Sequence, residues 1–330
     1  MISVDRRPGP SPYTDRPGVV KVDEGASRMS KPAAVTVSFL ALLLASVAVA
    51  RAQASPSAVI ETQAIRSGLH VLRGTGCNVV VWHGPEGVLV VDSGNAVSAP
   101  QLLEAIGRTA DGSVHFLVNS HWHPDHVGGN AALRRAGALV IAHQQTRALM
   151  SERQAVPAYD LDVPAAPRDA LPSVTFDDTL TLHLNGDRLE LMHVPGAHGQ
   201  GDLVAWWETA NVVHVGDAYY AGGYPFVDSA NGGSLAGLVA ALETVLSRAD
   251  ARTVIVPGHG PVSNRAELTA YRDMLVAIGT RVRALVEQGK NLDEVLESRP
   301  TAEYDERYGT GAVSAERFVR NLYADLSGRR

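Results

Sequence analysis

Residues 121–126 read His121-Trp122-His123-Pro124-Asp125-His126, which places three imidazoles and a carboxylate within one short stretch. By composition alone, such a pattern arises in roughly one chain of this kind in a thousand. The apolar run Phe116, Leu117, Val118 comes just before it, so the cluster belongs on the loop at the end of a strand. Alternate residues of an extended backbone point the same way. His121 and His123 can therefore converge on one cation, while Asp125 and His126 turn toward a neighbouring point. Gly128-Gly129-Asn130 then lets the chain turn tightly into a helix. Neutral imidazole combined with carboxylate suits Zn²⁺, with Fe or Mn as alternatives.

The rest of the chain offers further ligands at equivalent places. His198 lies in the glycine-flanked stretch Pro195-Gly196-Ala197-His198-Gly199-Gln200-Gly201-Asp202. Asp217 follows an apolar strand as Val215-Gly216-Asp217, and His259 follows another as Val256-Pro257-Gly258-His259-Gly260. Loops at strand ends carry chemistry on a rigid frame. The other histidines, His70, His83, His115, His143, His183, His193 and His214, have no such placement and are expected to be structural. Cys77 is the only cysteine, which excludes a disulfide framework and any Cys-rich zinc module. It is expected to act as a small buried hydrophobe.

Periodicity predicts strands at 78–82 and 88–92 around a turn at 84–87, then a helix over 99–109 and a strand at 114–119. A short helix at 131–136 and a strand at 139–141 follow. Residues 144–172 read as a loop with a short helix lying over something. Further strands are expected at 180–184, 189–193, 203–208, 212–215 and 253–256, with helices at 235–247 and 267–288 and two shorter ones after that. Hairpins, then strand–helix alternation, then strands again fit an α/β architecture in which helices cover two sheets.

These ligand stretches together resemble the metallo-β-lactamase-fold hydrolase superfamily over about residues 65–265. The resemblance implies an αββα four-layer sandwich, here with a C-terminal helical tail, and a dinuclear site at one edge. It implies that His121, His123 and His198 bind a first Zn²⁺, that Asp125, His126 and His259 bind a second, and that Asp217 bridges them. Asp92, at the end of the 88–91 run, matches a strand-end Asp that supports the site from behind. The implied activity is metal-dependent hydrolysis of an ester, thioester, lactone or amide. A hydroxide shared by the two cations attacks the carbonyl, and Asp125 orients it as the catalytic carboxylate.

Three other readings stand beside this one. Sulfur (persulfide) dioxygenases of the same superfamily use a single iron and share much of the histidine motif. A zinc β-lactamase of weak or atypical activity is a second reading. The best-known zinc β-lactamases often carry Cys at the Asp217 position and a Lys a few residues on, whereas the only lysine beyond residue 54 here is Lys290. Gly216-Asp217 looks more like the glyoxalase II-like branch, although the basic glutathione-binding pattern of that enzyme is not identifiable. A non-catalytic metal-binding protein is the third reading, and the full ligand set argues against it. Trp122, Tyr219, Tyr220, Tyr224 and Phe226 either wall an apolar pocket for a small-molecule substrate or pack the core.

Residues 33–50 carry no charge and follow Arg28 and Lys31, with small-residue cleavage points around Arg51 to Ala54. This reads as a signal peptide over 29–54, which predicts a periplasmic or secreted protein with no stable membrane anchor after cleavage. Residues 1–28 read as a disordered extension, with Met29 as the expected translation start. The hydrolase domain is expected over 55–265 and the helical tail over 266–330. The net charge of −6 argues against a nucleic-acid partner, which needs a basic face.

Overall fold

The strands alternate two apolar faces, and this alternation sets the layers. In a computed structural model, residues 59–66 and 68–328 are described. The extension and signal peptide expected over 1–54 lie outside them. The first sheet begins as an antiparallel meander of β1 (Glu61–Arg66), β2 (Leu69–Arg73), β3 (Val79–Gly84) and β4 (Gly87–Val91). It continues through α1 (Ala99–Thr109) to β5 (Val114–Val118), then through α2 (Pro124–Val127) and α3 (Asn130–Arg135) to β6 (Leu139–His143), both strands parallel to β4. After α4 (Gln144–Ser151) the chain forms a separate ribbon of β7 (Gln154–Val156) and β8 (Leu161–Val163). It then returns as β9 (Val174–Phe176) beside β6.

The second sheet holds β10 (Thr179–Leu184), β11 (Asp187–His193), β12 (Leu203–Trp207) and β13 (Val212–His214) in antiparallel order. The crossover helix α5 (Leu235–Arg248) brings β14 (Val254–Val256) parallel to β13, and β15 (Ser263–Asn264) closes the edge. The helices α6 (Arg265–Glu287), α7 (Leu292–Glu297), α8 (Asp305–Tyr308) and α9 (Ala315–Ser327) follow.

Side-chain alternation divides the apolar residues among three layers. Val80 and Trp82 of β3 face Leu203, Ala205 and Trp207 of β12 between the sheets. The rings of Trp82 and Trp207 meet edge to face, 6.1 Å apart. Val79 and Val81 face the other way, onto Leu102 and Ile106 of α1. Val204 and Trp206 turn outward onto α5 and α6. Leu268, Tyr271, Leu275, Ile278 and Val282 follow one another at helical spacing on the buried stripe of α6. Asn264 starts that helix by accepting hydrogen bonds from the Ala266 and Glu267 amides. The resulting order is helix, sheet, sheet, helix, the αββα sandwich that the resemblance implies.

The structure adds three features to the sequence reading. Three helices, not two, follow α6, and α9 packs on it through Phe318 and Leu322. The 144–172 stretch contains the β7–β8 ribbon. The first sheet also gains β1, β2 and β9, and the second gains β15, none of which the sequence reading had assigned as strands. Two backbone bonds sew the sheets together at one edge: Leu203 N donates to Ser120 O at 2.9 Å, and Asn78 N donates to Gly258 O at 2.8 Å. That edge is where the strand-end loops gather.

Candidate metal centre

All seven residues singled out as ligands meet at this edge. His121 and His123 follow β5, and the short turn of α2 swings Asp125 and His126 to the opposite side. His198 comes from the loop between β11 and β12, Asp217 from the turn after β13, and His259 from the turn after β14. Gly216 holds a left-handed φ of +50°, with Ser120 Cβ 3.1 Å from where a side chain would begin. Glycine is therefore required just before Asp217.

The side chains form two adjoining groups, His121, His123, His198 and Asp217 in one, and Asp125, His126 and His259 in the other. In the first, His123 Nδ1 lies 3.1 Å from His121 Nε2 and 2.7 Å from His198 Nε2. Asp217 Oδ2 stands 3.8 Å from His121 Nε2 and 3.6 Å from His198 Nε2. In the second, His259 Nε2 lies 3.4 Å from both His126 Nε2 and Asp125 Oδ2. Asp217 touches this group too, with Oδ1 3.1 Å from His126 Nε2 and Oδ2 3.3 Å from His259 Nε2.

Several ring nitrogens facing away from the centre are fixed by partners, which orients the rings and turns the other nitrogen of each toward the centre. His198 Nδ1 lies 2.8 Å from Phe226 O, and His123 Nε2 lies 3.0 Å from Asp228 Oδ2. His126 Nδ1 lies 2.8 Å from Asp92 Oδ2. Asp92 is fully buried and also accepts hydrogen bonds from the Ser120 amide and hydroxyl, each at 2.7 Å. The Tyr220 hydroxyl donates to Asp217 Oδ2 at 2.6 Å.

Charge and burial suit a cation. Burial among other imidazoles pushes His121 well below the ordinary histidine range, and burial lowers His198, so both present neutral nitrogens. Burial would raise the Asp217 carboxyl, but His259, His126 and His121 overcome it and hold it well below the usual carboxylate range. Burial acts likewise on Asp125, and His126 and His259 bring it to about 2. Asp217 Oδ1 is buried and has no aligned hydrogen-bond donor. An orphaned, ionised oxygen among inward-pointing ring nitrogens is the donor set that a divalent cation satisfies, displacing the protons that Asp217 and Asp125 hold on His126 and His259 in the metal-free chain.

The site opens into a cleft of about 410 Å³. Val156, Tyr159 and Leu161 of the ribbon, with Phe226 and Tyr220, make its apolar wall. The five aromatic residues left open by the sequence therefore divide. Tyr220 and Phe226 line the cleft, whereas Trp122, Tyr219 and Tyr224 are buried in the core. Cys77 is buried in the outer layer against α1, and its thiol also stands close to Asp92 and His126 behind the site. The remaining histidines stay outside both ligand groups, and His143 and His193 stack on each other with centroids 3.7 Å apart. Sequence reasoning missed Asp228 and Tyr159. Nothing near Asp228 marks it, because its role arises only on meeting His123, 105 positions earlier.

Comparison with known proteins gives consistent matches. The profile of the family described as the Metallo-beta-lactamase superfamily matches residues 72–259. A metallo-beta-lactamase type 2 of Bacteroides fragilis is 24% identical over 166 residues, 50% of this chain and 61% of that one. A hydroxyacylglutathione hydrolase of Ectopseudomonas mendocina (strain ymp) is 29% identical over 134 residues, 41% of this chain and 43% of that one. The chain thus covers less than two thirds of either relative. The solved structure of the sec-alkylsulfatase Pisa1 from Pseudomonas sp. superposes with a TM-score of 0.62 at 17% identity, over 82% of this chain and 51% of that one.

Proposed function

This chain belongs to the metallo-beta-lactamase superfamily, and from that premise we propose that it is a dinuclear zinc hydrolase acting on a small ester, thioester, lactone or amide. One observation carries the reading: the two carboxylate oxygens of Asp217 lie between two separate groups of inward-facing ligands. His121, His123 and His198 would hold one cation and Asp125, His126 and His259 the other, with Asp217 shared. Two cations bound there supply Lewis acidity and an ionised water at neutral pH.

The chain's own residues do the rest. Asp125, ionised and bordering the cleft, accepts a hydrogen bond from the attacking water and so aims it. A carboxyl held near 2 is a weak base, so its work is orientation more than proton abstraction. Tyr220, whose phenol is pushed well up by burial and by Asp217, stays protonated and fixes the Asp217 carboxylate. The apolar wall takes the body of the substrate and excludes water around the scissile bond.

No lysine or arginine lines this cleft among the described residues. A carboxylate next to the scissile bond, as in β-lactams, finds no cationic side chain here, so β-lactam turnover is expected to be slow. The complete second ligand group supports two cations over the single iron of a persulfide dioxygenase. The charge-free stretch 33–50 behind Lys31 supports export to the periplasm or beyond. N-terminal sequencing of the secreted protein tests that point.

The decisive experiment is plasma mass spectrometry of residues 55–330 expressed without added metal. About two zinc ions per chain are expected, with activity on a panel of esters, thioesters, lactones, β-lactams and sulfate esters. About one iron per chain, with oxygen uptake on persulfides, would overturn the reading. Asp217→Ala should lose metal and activity together; full activity in that variant would discard the dinuclear site.

A further inference from the structure

Two polar atoms beside the first ligand group, Trp122 Nε1 and Asp202 Oδ1, are buried and have no hydrogen-bond partner among the described residues. Their side chains are almost wholly enclosed, with residue exposures of 2% and 5%. A buried donor or acceptor left unpaired is costly, so each such atom calls for a partner. The two residues flank the seam between the sheets, close to the backbone bond from Leu203 N to Ser120 O.

Each is tied to a ligand of its own sheet. Trp122 stands between His121 and His123 in the chain, and its ring packs on the His123 ring with centroids 4.6 Å apart. Asp202 Oδ2 accepts a hydrogen bond at 2.7 Å from the amide of Gly199, the residue directly after His198. His123 Nδ1 and His198 Nε2 meet at 2.7 Å.

Gly199 marks the space between them. A Cβ on it would stand 3.6 Å from Asp202 Oδ1, 4.0 Å from Asn231 O and 4.0 Å from Trp122 Nε1. These are ordinary contact distances, and the φ of Gly199 lies outside the left-handed region. Neither the backbone nor the packing therefore requires glycine at this position. The space beside its Cα has room for a methyl group and is bordered by one donor and two acceptors. A cation there would face the indole N–H, and an anion would face the carboxylate. A water molecule suits all three groups, accepting from the indole and donating to Asp202 Oδ1 and Asn231 O.

We propose that a buried water bridges Trp122, Asp202 and Asn231, and that through it Trp122 and Asp202 position His123 and His198 for the first cation. The positioning role rests on the metal-centre reading, whereas the bridge itself does not. Neither Trp122 nor Asp202 takes part in bond breaking.

The test reads the bridge by nuclear magnetic resonance in metal-free protein isotope-labelled at its tryptophan nitrogens. Trp122→Phe identifies the Trp122 indole signal among those of the four tryptophans. That indole proton should receive magnetisation from a long-lived water. Asp202→Asn keeps a polar group facing the water and should keep the transfer. Gly199→Ala should abolish it, because the methyl group takes the water's place. A glycine-to-alanine exchange at an unstrained position ordinarily stabilises a protein. Here it should lower the melting temperature, since it strands two buried polar atoms. Zinc affinity, read by competition with a chelating dye, should fall about tenfold in Gly199→Ala, and Asp202→Asn should retain most of it. A wild-type chain with no transfer to the Trp122 indole would overturn the bridge, and so would a Gly199→Ala variant more stable than wild type. Transfer lost in Gly199→Ala with zinc affinity unchanged would overturn the positioning role. If the wild-type chain shows the transfer but binds no zinc, the metal reading and the positioning role fail together, and the bridge alone stands.

Discussion

Asp217 is the residue on which the centre turns, and its surroundings leave it no freedom. A Cβ at Gly258 would come within 2.0 Å of Asp217 Oδ1 and 2.8 Å of the Gly216 carbonyl carbon. Gly258→Ala should therefore displace the carboxylate and weaken metal binding about tenfold or more, with far-ultraviolet circular dichroism unchanged. Full metal content in that variant would show that Asp217 has room to move. Asp228→Ala should release His123 and cost about 10–100-fold in metal affinity, read by competition with a chelating dye. His259 gives the metal-free chain a pH signature. Burial pushes its pKa down, but Asp217 and Asp125 raise it to about 9. The raised value means that the protonated form stabilises the fold. That contribution is complete below about pH 6.5, where the unfolded chain is also protonated, and it is lost as pH rises through about 9. The melting temperature of chelator-treated protein should fall across this window, and His259→Gln should flatten the fall. Equal slopes in the two proteins would assign the effect elsewhere.

Among the elements, the β7–β8 ribbon is the one that shapes the cleft without belonging to either sheet. Leu161 stands on it 45% exposed, an apolar side chain left at the mouth. Leu161→Asp should raise KM about tenfold for esters with long apolar acyl groups, and leave kcat and short acetate esters unchanged. A fall in kcat for both would place the ribbon in the chemistry instead. The ribbon also shows which elements could be read from sequence. The strands β3, β4 and β12 bury most of both faces, so their continuous runs of Val, Leu and Trp announce them. Gln154-Ala155-Val156 and Leu161-Asp162-Val163 are three residues long and pair only with each other, too short for any period to register. The strand β9 is equally brief. The candidate ligands were legible for a related reason: His121, His123, Asp125 and His126 form one dense cluster after an apolar run, and His198, Asp217 and His259 each stand beside a glycine in a turn that follows a strand. Asp228 has no such frame, because it matters only through a histidine far upstream.

In the whole molecule the helices after residue 264 are part of the sandwich. The helix α6 covers the outer face of the second sheet with Leu268, Tyr271, Leu275 and Ile278, and Phe318 and Leu322 of α9 pack on α6, all fully buried. Each such side chain contributes on the order of 1.5–3 kcal/mol on burial, against a typical net stability of about 5–15 kcal/mol. A chain truncated at residue 264 should fail to fold, seen as binding of a hydrophobic dye and rapid proteolysis; a stable, soluble fragment would show that the first three layers suffice. The ligands are divided in the same way as the layers. His121, His123, Asp125 and His126 come from the first sheet, and His198, Asp217 and His259 from the second. The two half-sets are strangers to each other until the Leu203 and Asn78 amides close the seam. A cation arriving while the chain is still being made would find only part of the candidate ligand set, so a complete site would exist only in the finished molecule. Metal supply and chain synthesis can thus occur in different places and at different times, with the last ligand in the sequence acting as the clock.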